Sequence, residues 1–507
     1  MTAVHSCKVA SKFIFCKVRF AGDLKTIVCM SSVSDSPTFH GFSDNIMLMS
    51  DSYKLSHWKQ YPPKTEFVYS YFESRGGQFA DTAFFGLQYI LLRHLEGQVV
   101  TRQKILDAER FAALHFGSAD HFNRSGWEHI LTKHDGYLPI SIRAVPEGEV
   151  VGNRNVLLTI VNTDPECFWL TNFLETLLVQ VWYPCTVATS SREQKKVISR
   201  WLVSTGCSVD SLEWKLHDFG FRGVSSWESS GIGGLAHLVN FRGTDTMSAC
   251  IFGSEYYGSE MAGFSIPASE HSTITSWGRD NELDAFRNML EQYPEGAVAC
   301  VSDSWDIFRA TSDFWGKELG EMIMNRKGKL VIRPDSGDPP TVVIRVLDLL
   351  GGGESGAFTK YVTLTSTGHR LLPPQVRVIQ GDGVDIGMIE KIYAAMALAG
   401  WAAENVGFGS GGALLQKLNR DTLKFAFKCS SVTIAGEERE VYKDPVTDPG
   451  KKSKKGKLAL VRRSDGGWET VCPTGPGVRD ELVEVFRNGK VLVKYNLEEI
   501  RVRAKIG

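Results

Sequence analysis

Four short, mostly apolar runs in the second half of the chain limit its fold more than any other feature: Ala297-Val298-Ala299-Cys300-Val301, Lys329-Leu330-Val331-Ile332, Val376-Arg377-Val378-Ile379 and Asn405-Val406-Gly407-Phe408. Runs this short and this apolar suit strands buried on both faces, as in a parallel sheet covered by helices. Each stops on polar or glycine residues: Ser302-Asp303, Arg333-Pro334-Asp335-Ser336-Gly337, Gly381-Asp382-Gly383 and Gly409-Ser410-Gly411-Gly412. Each then leads into a helical stretch: Trp305 to Leu319, Thr341 to Leu350, Val384 to about Leu398, and Leu414 to about Lys417. Strand ends at Leu216 and Ile266 bring the count to at least six βα units. The pattern predicts an α/β fold, an incomplete or irregular parallel β/α barrel, although an open doubly wound sheet shows the same alternation. In both, functional groups gather at the C-terminal ends of the strands.

Those ends share one chemistry. Carboxylates at Asp303, Asp335 and Asp382, a guanidinium at Arg333 and the glycine-rich backbone from Gly409 to Gly412 suit a phosphorylated sugar. Carboxylates take ribose hydroxyls or a hydrated Mg²⁺, and glycines let backbone N–H groups approach phosphate oxygens. A second concentration runs from Leu216 through His217, Phe219, Arg222 and Ser226 to Gly243-Thr244-Asp245. There Ser225 or Ser226 can cap a helix reaching about Asn240, Phe219 offers a flat apolar face, and Asp245 can accept a hydrogen bond from whatever stacks on it. These parts suit a planar neutral ring next to a phosphate. Between the two lies Glu270-His271-Ser272, with Asp303 closing the following unit. An aspartate that accepts one ring N–H of His271 leaves the other nitrogen as a nucleophile.

The remaining chain predicts scaffolding. Residues 43–165 together with 425–507 read as a β-rich accessory domain with helices, and residues 166–424 as the barrel-like catalytic domain. Within the first, Ile46 to Met49, leading into the polar Ser50 to Lys54, and Glu66 to Phe72 read as two strands with polar turns, and Ala83 to Leu95 as an amphipathic helix. Residues 138 to 165 alternate as a small β layer with one wet face. Helices are expected from Cys167 to Val181 and from Ser190 to about Leu202, and a solvated loop at Lys451 to Lys457. Residues 1–42 stand apart, with Lys8, Lys12, Lys17, Arg19 and Lys25 against only Asp23 and Asp35. That composition fits an organelle transit peptide, a disordered tail, or a chain whose start is Met30.

A net charge of −1 gives no global field to attract nucleic acid or a membrane. The ten cysteines form no C-x-x-C pair and no metal-type spacing with histidine, so no protein-held metal is assigned and an intracellular, cytoplasmic location is expected.

The wording of several stretches resembles the nicotinamide phosphoribosyltransferases of the type II phosphoribosyltransferase family. They are Ser50-Asp51-Ser52-Tyr53-Lys54, His217 to Ser226, Glu270 to Ile274, Ile332 to Gly337, Gln380 to Asp385, and Phe408 through Gly412 to Arg420. The resemblance runs from about Asn45 to Val502. It implies transfer of phosphoribose from 5-phosphoribosyl 1-diphosphate to nicotinamide, with Mg²⁺, in the entry step of NAD salvage. It further implies that Phe219 and Tyr53 sandwich the pyridine, with Tyr53 supplied by the other subunit of a homodimer, and that Asp245 holds the carboxamide. Arg222, Arg333 and Arg420 are implied to hold phosphate, Asp335, Gly381 and Asp382 to face the ribose, and Gly412 to offer backbone to phosphate. His271, oriented by Asp303, is implied to take phosphate from ATP. Trp214 stands where a tyrosine is usual, Ala413 replaces a glycine, and the segment after Arg75 is shorter than in animal members. Two other functions fit parts of this pattern: nicotinate phosphoribosyl transfer, and non-catalytic binding of a phosphosugar by a signalling protein.

Overall fold

The structure, a computed structural model, describes residues 4–10, 13–20, 23–30, 44–447, 451–473 and 477–506. Its centre is a curled parallel sheet of five strands in the order Glu295–Val301, Lys327–Arg333, Val376–Gln380, Val406–Ser410 and Leu216–Asp218. All four pairings are parallel, in a register that sets Val301 beside Arg333, Gln380 beside Phe408 and Ser410 beside Asp218. The predicted apolar runs are these strands, and helices such as Pro339–Gly351 and Ile386–Leu398 cover them. The strand expected at Ile266 is reduced to single contacts, because Pro267 interrupts the ladder. Isolated parallel bridges instead carry the curve round, from Asp218 to Thr244, from Gly243 to Phe264 and from Ala268 back to Ala299.

The second layer is a seven-stranded antiparallel sheet whose order is Glu437–Glu440, Phe425–Ile434, Thr65–Ser74, Val156–Asn162, Ile140–Ala144, Val483–Arg487 and Lys490–Val491. Both ends of the chain thus build one sheet. The strands 140–144 and 156–162 lie in its middle and are buried almost throughout, so the layer expected to have one wet face is core. Helices Trp227–Leu238 and Met247–Tyr257 bury Leu235 and Phe252 in the same core as this sheet, so the apolar interior crosses residue 165 without a break.

Three local expectations give way to tertiary contacts. Residues Ile46–Leu48 and Ser52–Lys59 are 3₁₀ turns rather than a strand. The Asn45 side chain caps the first, and the second is pinned by Ser50 Oγ donating to Phe173 O at 2.9 Å and by Lys54 Nζ paired with Glu175 at 2.7 Å. The span 83–95 is a strand end followed by the short helix Leu87–Ile90 and one π turn, with Gly86 at φ 99° setting the corner. The helix expected from Cys167 to Val181 is broken into Leu170–Phe173 and Glu175–Val179, and the next one starts earlier, at Trp182. Pro184 is tolerated there because a first-turn residue needs no N–H donor.

The extension is not devoid of regular structure: Val4–Ala10, Phe13–Phe20 and Asp23–Met30 form an antiparallel sheet of their own. Their β-branched and aromatic content favours strands, a signal outweighed in the sequence by the basic composition. The rest of that segment lies outside the described residues. The basic loop at 451–457 is held by ion pairs, Lys455 to Glu440 at 2.7 Å, Lys457 to Glu438 at 2.6 Å and Lys454 to the buried Glu73. No helix among the described residues is long and apolar enough to cross a membrane.

Candidate active site

A cleft of about 1100 Å³ opens over the C-terminal ends of the parallel strands. Its floor is organised by the turn that follows strand Leu216–Asp218. Asp218 is fully buried, and its carboxylate accepts from Gly220 N at 2.7 Å and Thr244 Oγ1 at 3.3 Å. Its carbonyl accepts from Asp245 N at 2.9 Å, while Phe219 N donates to Ser410 O at 3.0 Å. The turn is therefore tied to its neighbours on both sides, and the Phe219 ring has one seat. That seat is made of glycine: a Cβ on Gly409 would lie 1.9 Å from Phe219 Cε2, and one on Gly381 would lie 3.3 Å from it. The Arg333 guanidinium sits 5.5 Å from the ring centroid, within cation–π range.

Gly409→Ala is accordingly expected to unseat Phe219 and leave the fold intact, since Gly409 lies in a regular strand. Aromatic stacking is worth roughly 1 kcal/mol, so KM for the ring substrate should rise about 5- to 10-fold with KM for the phosphosugar unchanged. Equal rises in both constants would show that Gly409 does not act through the ring.

Asp245 faces the same cleft. Its Oδ1 accepts from His217 Nε2 at 2.9 Å and from Ser265 Oγ. Burial works against its charge, but these two donors hold its carboxyl below the usual range, so it is an anion at neutral pH. It does not cap the helix that follows, Met247–Tyr257, whose N-cap position is Thr246 and whose start takes no side-chain cap bond.

On the opposite wall His271 opens the short helix His271–Thr275, whose start is fixed by a capping box between Glu270 and Thr273. His271 Nε2 lies 2.9 Å from Asp303 Oδ1. The Asp303 side chain is only 4 % exposed, and its Oδ2 accepts from Asp335 N at 3.1 Å and Ser336 Oγ at 2.6 Å. Arg333 Nη2 in turn reaches Asp335 Oδ1 at 2.8 Å. His271, Asp303, Asp335 and Arg333 thus form one continuous polar chain across three strand ends. An aspartate against Nε2 sets Nε2 as the donor and leaves Nδ1 with its lone pair.

The fold brings Phe219, Arg222, Asp245, His271, Arg333, Asp335, Gly381, Asp382 and Gly412 to the cleft. Asp303 stands behind His271. Tyr53 and Arg420 are elsewhere: Tyr53 is 59 % exposed, and Arg420 lies on a turn whose Thr422 O accepts from Gln78 N at 2.8 Å. Three contributors were given no role in the sequence. Glu270 and Lys417 line the cleft, and His217 holds Asp245 from a strand. Lys417 closes the Gly-rich motif and could have been found there; His217 could not, because its partner is decided by the bridge from Asp218 to Thr244.

The family model for nicotinate phosphoribosyltransferases matches residues 214–490, and that for the N-terminal domain of nicotinamide phosphoribosyltransferase matches residues 45–142. The nicotinamide phosphoribosyltransferase of Xanthomonas campestris is 49 % identical over 472 residues, which cover 91 % of this chain and 98 % of that one. The chain belongs to the nicotinate phosphoribosyltransferase family. Its relative from Acinetobacter baylyi, also named nicotinamide phosphoribosyltransferase, is 35 % identical over 91 % of this chain and 97 % of its own length. Solved structures share the family fold at low identity. Nicotinate-nucleotide pyrophosphorylase from Pyrococcus furiosus superposes with a TM-score of 0.56 at 15 % identity, covering 91 % of this chain and 95 % of that one. Human nicotinic acid phosphoribosyltransferase gives 0.52 at 16 %, covering 90 % and 93 %.

Proposed function

We propose that this phosphoribosyltransferase joins nicotinamide to 5-phosphoribosyl 1-diphosphate, giving nicotinamide mononucleotide and pyrophosphate, and that it serves NAD salvage. The observation that carries the choice of ring is Asp245, an anion in the same cleft as Phe219. Among the described residues both of its donors engage Oδ1, so Oδ2 is the oxygen available to a ligand amide. A carboxylate accepts from the NH₂ of nicotinamide and repels the carboxylate of nicotinate. Two like charges ~4 Å apart at an effective dielectric of about 20 repel by roughly 4 kcal/mol, close to three orders of magnitude. With the Asp245 side chain 47 % exposed, screening trims the preference to about one to two orders.

The test is purified protein with labelled nicotinamide or nicotinate, 5-phosphoribosyl 1-diphosphate and Mg²⁺, with and without ATP. Asp245→Asn should raise KM for nicotinamide and narrow the gap to nicotinate about 10-fold or more. A parent enzyme that favours nicotinate, or a folded variant with the parent's full preference, would overturn the assignment.

In the reaction the ring nitrogen attacks the anomeric carbon as the bond to the diphosphate oxygen breaks, through an oxocarbenium-like ribose. Phe219 and Asp245 fix the ring and its carboxamide, while Arg222, Arg333 and Lys417 offer positive charge to phosphate and diphosphate. Holding the two reactants in line supplies much of the rate, and no protein nucleophile attacks the ribose. The hard oxygen donors of Asp335 and Asp382 on the cleft wall suit Mg²⁺, which when bound neutralises charge on the diphosphate. ATP is the second phosphate source: His271 Nδ1 takes the γ-phosphoryl group as the bond to ADP breaks, and later loss of that phosphate to water couples hydrolysis to synthesis.

The site is completed by a second copy of the chain. Tyr53 is 59 % exposed and absent from its own cleft, and its turn is anchored rigidly by Lys54 on Glu175. In a homodimer it covers the ring from the partner's side. Mixing Tyr53→Ala and Asp245→Ala proteins should raise activity above the mean of the two alone, since after random subunit exchange about half the dimers are mixed and each of those regains one complete site. No recovery after demonstrated exchange would place the whole site within one chain.

A further inference from the structure

Outside the cleft, one cluster of side chains has no role in the chemistry described so far. The imidazoles of His129 and His134 both aim Nε2 at the same oxygen, Asp164 Oδ2, at 2.8 and 2.6 Å. Cys167 follows three residues after Asp164 on a 3₁₀ turn that the aspartate itself caps, Oδ1 accepting from Glu166 N at 2.9 Å. One ligand atom from each of these four residues lies within 4.8 Å of the other three. We propose that His129, His134, Asp164 and Cys167 bind one divalent cation of the zinc class, at a structural site away from the cleft.

The donor set selects the ion. Two imidazole nitrogens and a thiolate exclude Mg²⁺ and Ca²⁺, which demand oxygen, and suit a borderline cation in tetrahedral coordination. Metal–ligand lengths of about 2.0–2.3 Å put neighbouring ligand atoms about 3.3–3.8 Å apart, so atoms already within 4.8 Å need move by only about 1 Å. Charge balances as well. On binding, four bonds form to the cation, each imidazole exchanges the proton that its Nε2 donates to Asp164 in the empty site for one on Nδ1, and Cys167 releases its thiol proton to solvent. The thiolate and the Asp164 carboxylate then neutralise the two positive charges, with no change of oxidation state. The site has an entrance: the side chains of His129, His134 and Asp164 are 27, 26 and 17 % exposed, whereas Cys167 is fully buried.

The consequence is mechanical. His129 belongs to helix Arg124–Lys133 and His134 is its C-cap, while Asp164 and Cys167 follow the central strand Val156–Asn162. A cation here ties that helix to the seven-stranded sheet, beside the edge-on pair Trp127 and Trp169 with ring centroids 4.7 Å apart. Such a bond adds its binding free energy to the folded state.

The test uses the full chain stripped with a chelator, then titrated with Zn²⁺ against a chromophoric competitor and separately with Co²⁺. One equivalent of Zn²⁺ is expected to bind and raise the melting temperature. Co²⁺ is expected to show the intense d–d bands of a tetrahedral site together with a thiolate charge-transfer band. Cys167→Ser should abolish that band, and His129→Gln with His134→Gln should weaken Zn²⁺ binding by at least about 10-fold. Glutamine keeps a donor toward Asp164, and Cys167→Ser changes a single atom, so one variant reports even if the other misfolds. Less than a tenth of an equivalent of Zn²⁺ bound by the parent, or a Co²⁺ spectrum that Cys167→Ser leaves unchanged, would overturn the site.

Discussion

Asp303→Asn is expected to lower ATP hydrolysis by about two to four orders of magnitude, far more than it lowers nicotinamide mononucleotide synthesis without ATP. Three donors converge on this side chain: His271 Nε2 at 2.9 Å, Asp335 N at 3.1 Å and Ser336 Oγ at 2.6 Å. An asparagine must turn its NH₂ toward at least one of them. If the amide faces His271, the ring is no longer held with Nδ1 presented to the γ-phosphate. If it faces Asp335 N, the loop carrying Arg333 and Asp335 is displaced, and a phosphate site is lost with it. The same carboxylate therefore orients the nucleophile and ties it to the loop that carries the phosphosugar ligands, which is a physical route for coupling the two reactions. Ser336→Ala separates the two effects, because it removes only the loop contact: KM for 5-phosphoribosyl 1-diphosphate should rise about 5- to 10-fold with ATP hydrolysis largely kept. Normal ATP hydrolysis by folded Asp303→Asn would remove His271 and Asp303 from the coupling mechanism.

Acidification should destabilise the fold through His237, by up to about 5 kcal/mol between pH 6.5 and pH 3. The ring is fully buried, with Nδ1 2.8 Å from Ser191 Oγ and Nε2 3.2 Å from Leu216 O. Burial, followed by the nearby His217, pushes its pKa from 6.5 down to about 3. The neutral form is therefore the native one. Below pH 6.5 the unfolded chain takes up a proton that the folded chain refuses, so stability is complete above the unfolded value and declines as pH falls toward the folded one. His237 lies under the first strand of the site, since its partner Leu216 opens Leu216–Asp218. Loss of the cleft should accompany the loss of stability. Denaturant unfolding of parent and His237→Gln at pH 7.5 and pH 4.5 checks this. The variant starts less stable but should lose about 3 kcal/mol less over that interval. Equal losses in both proteins would place the acid lability on other groups.

What the sequence determines by itself here is the list of parts. A strand buried on both faces must be short and apolar, and it must end where polar residues begin. The runs at 297–301, 329–332, 376–379 and 405–408 therefore announce both the strands and their functional ends. For the same reason Asp303, Arg333, Asp335, Gly381, Asp382 and Gly412 are legible as neighbours from the sequence alone. Caps are equally local, and Ser226 does accept from Ser229 N at 3.0 Å at the start of its helix. The tertiary structure decided what depends on residues far apart in the chain. Docking of Ser50 and Lys54 onto the 170–179 helices turned a predicted strand into 3₁₀ turns. The bridges from Asp218 to Thr244, Gly243 to Phe264 and Ala268 to Ala299 closed the curve that alternation alone left open, and they brought His217 and Ser265 to Asp245. The pairing of Gly409 with His217 put a residue without a side chain under Phe219. None of these follows from propensity or pattern, because each is a contact between segments whose own sequences are satisfied in several ways, and only their mutual packing selects one.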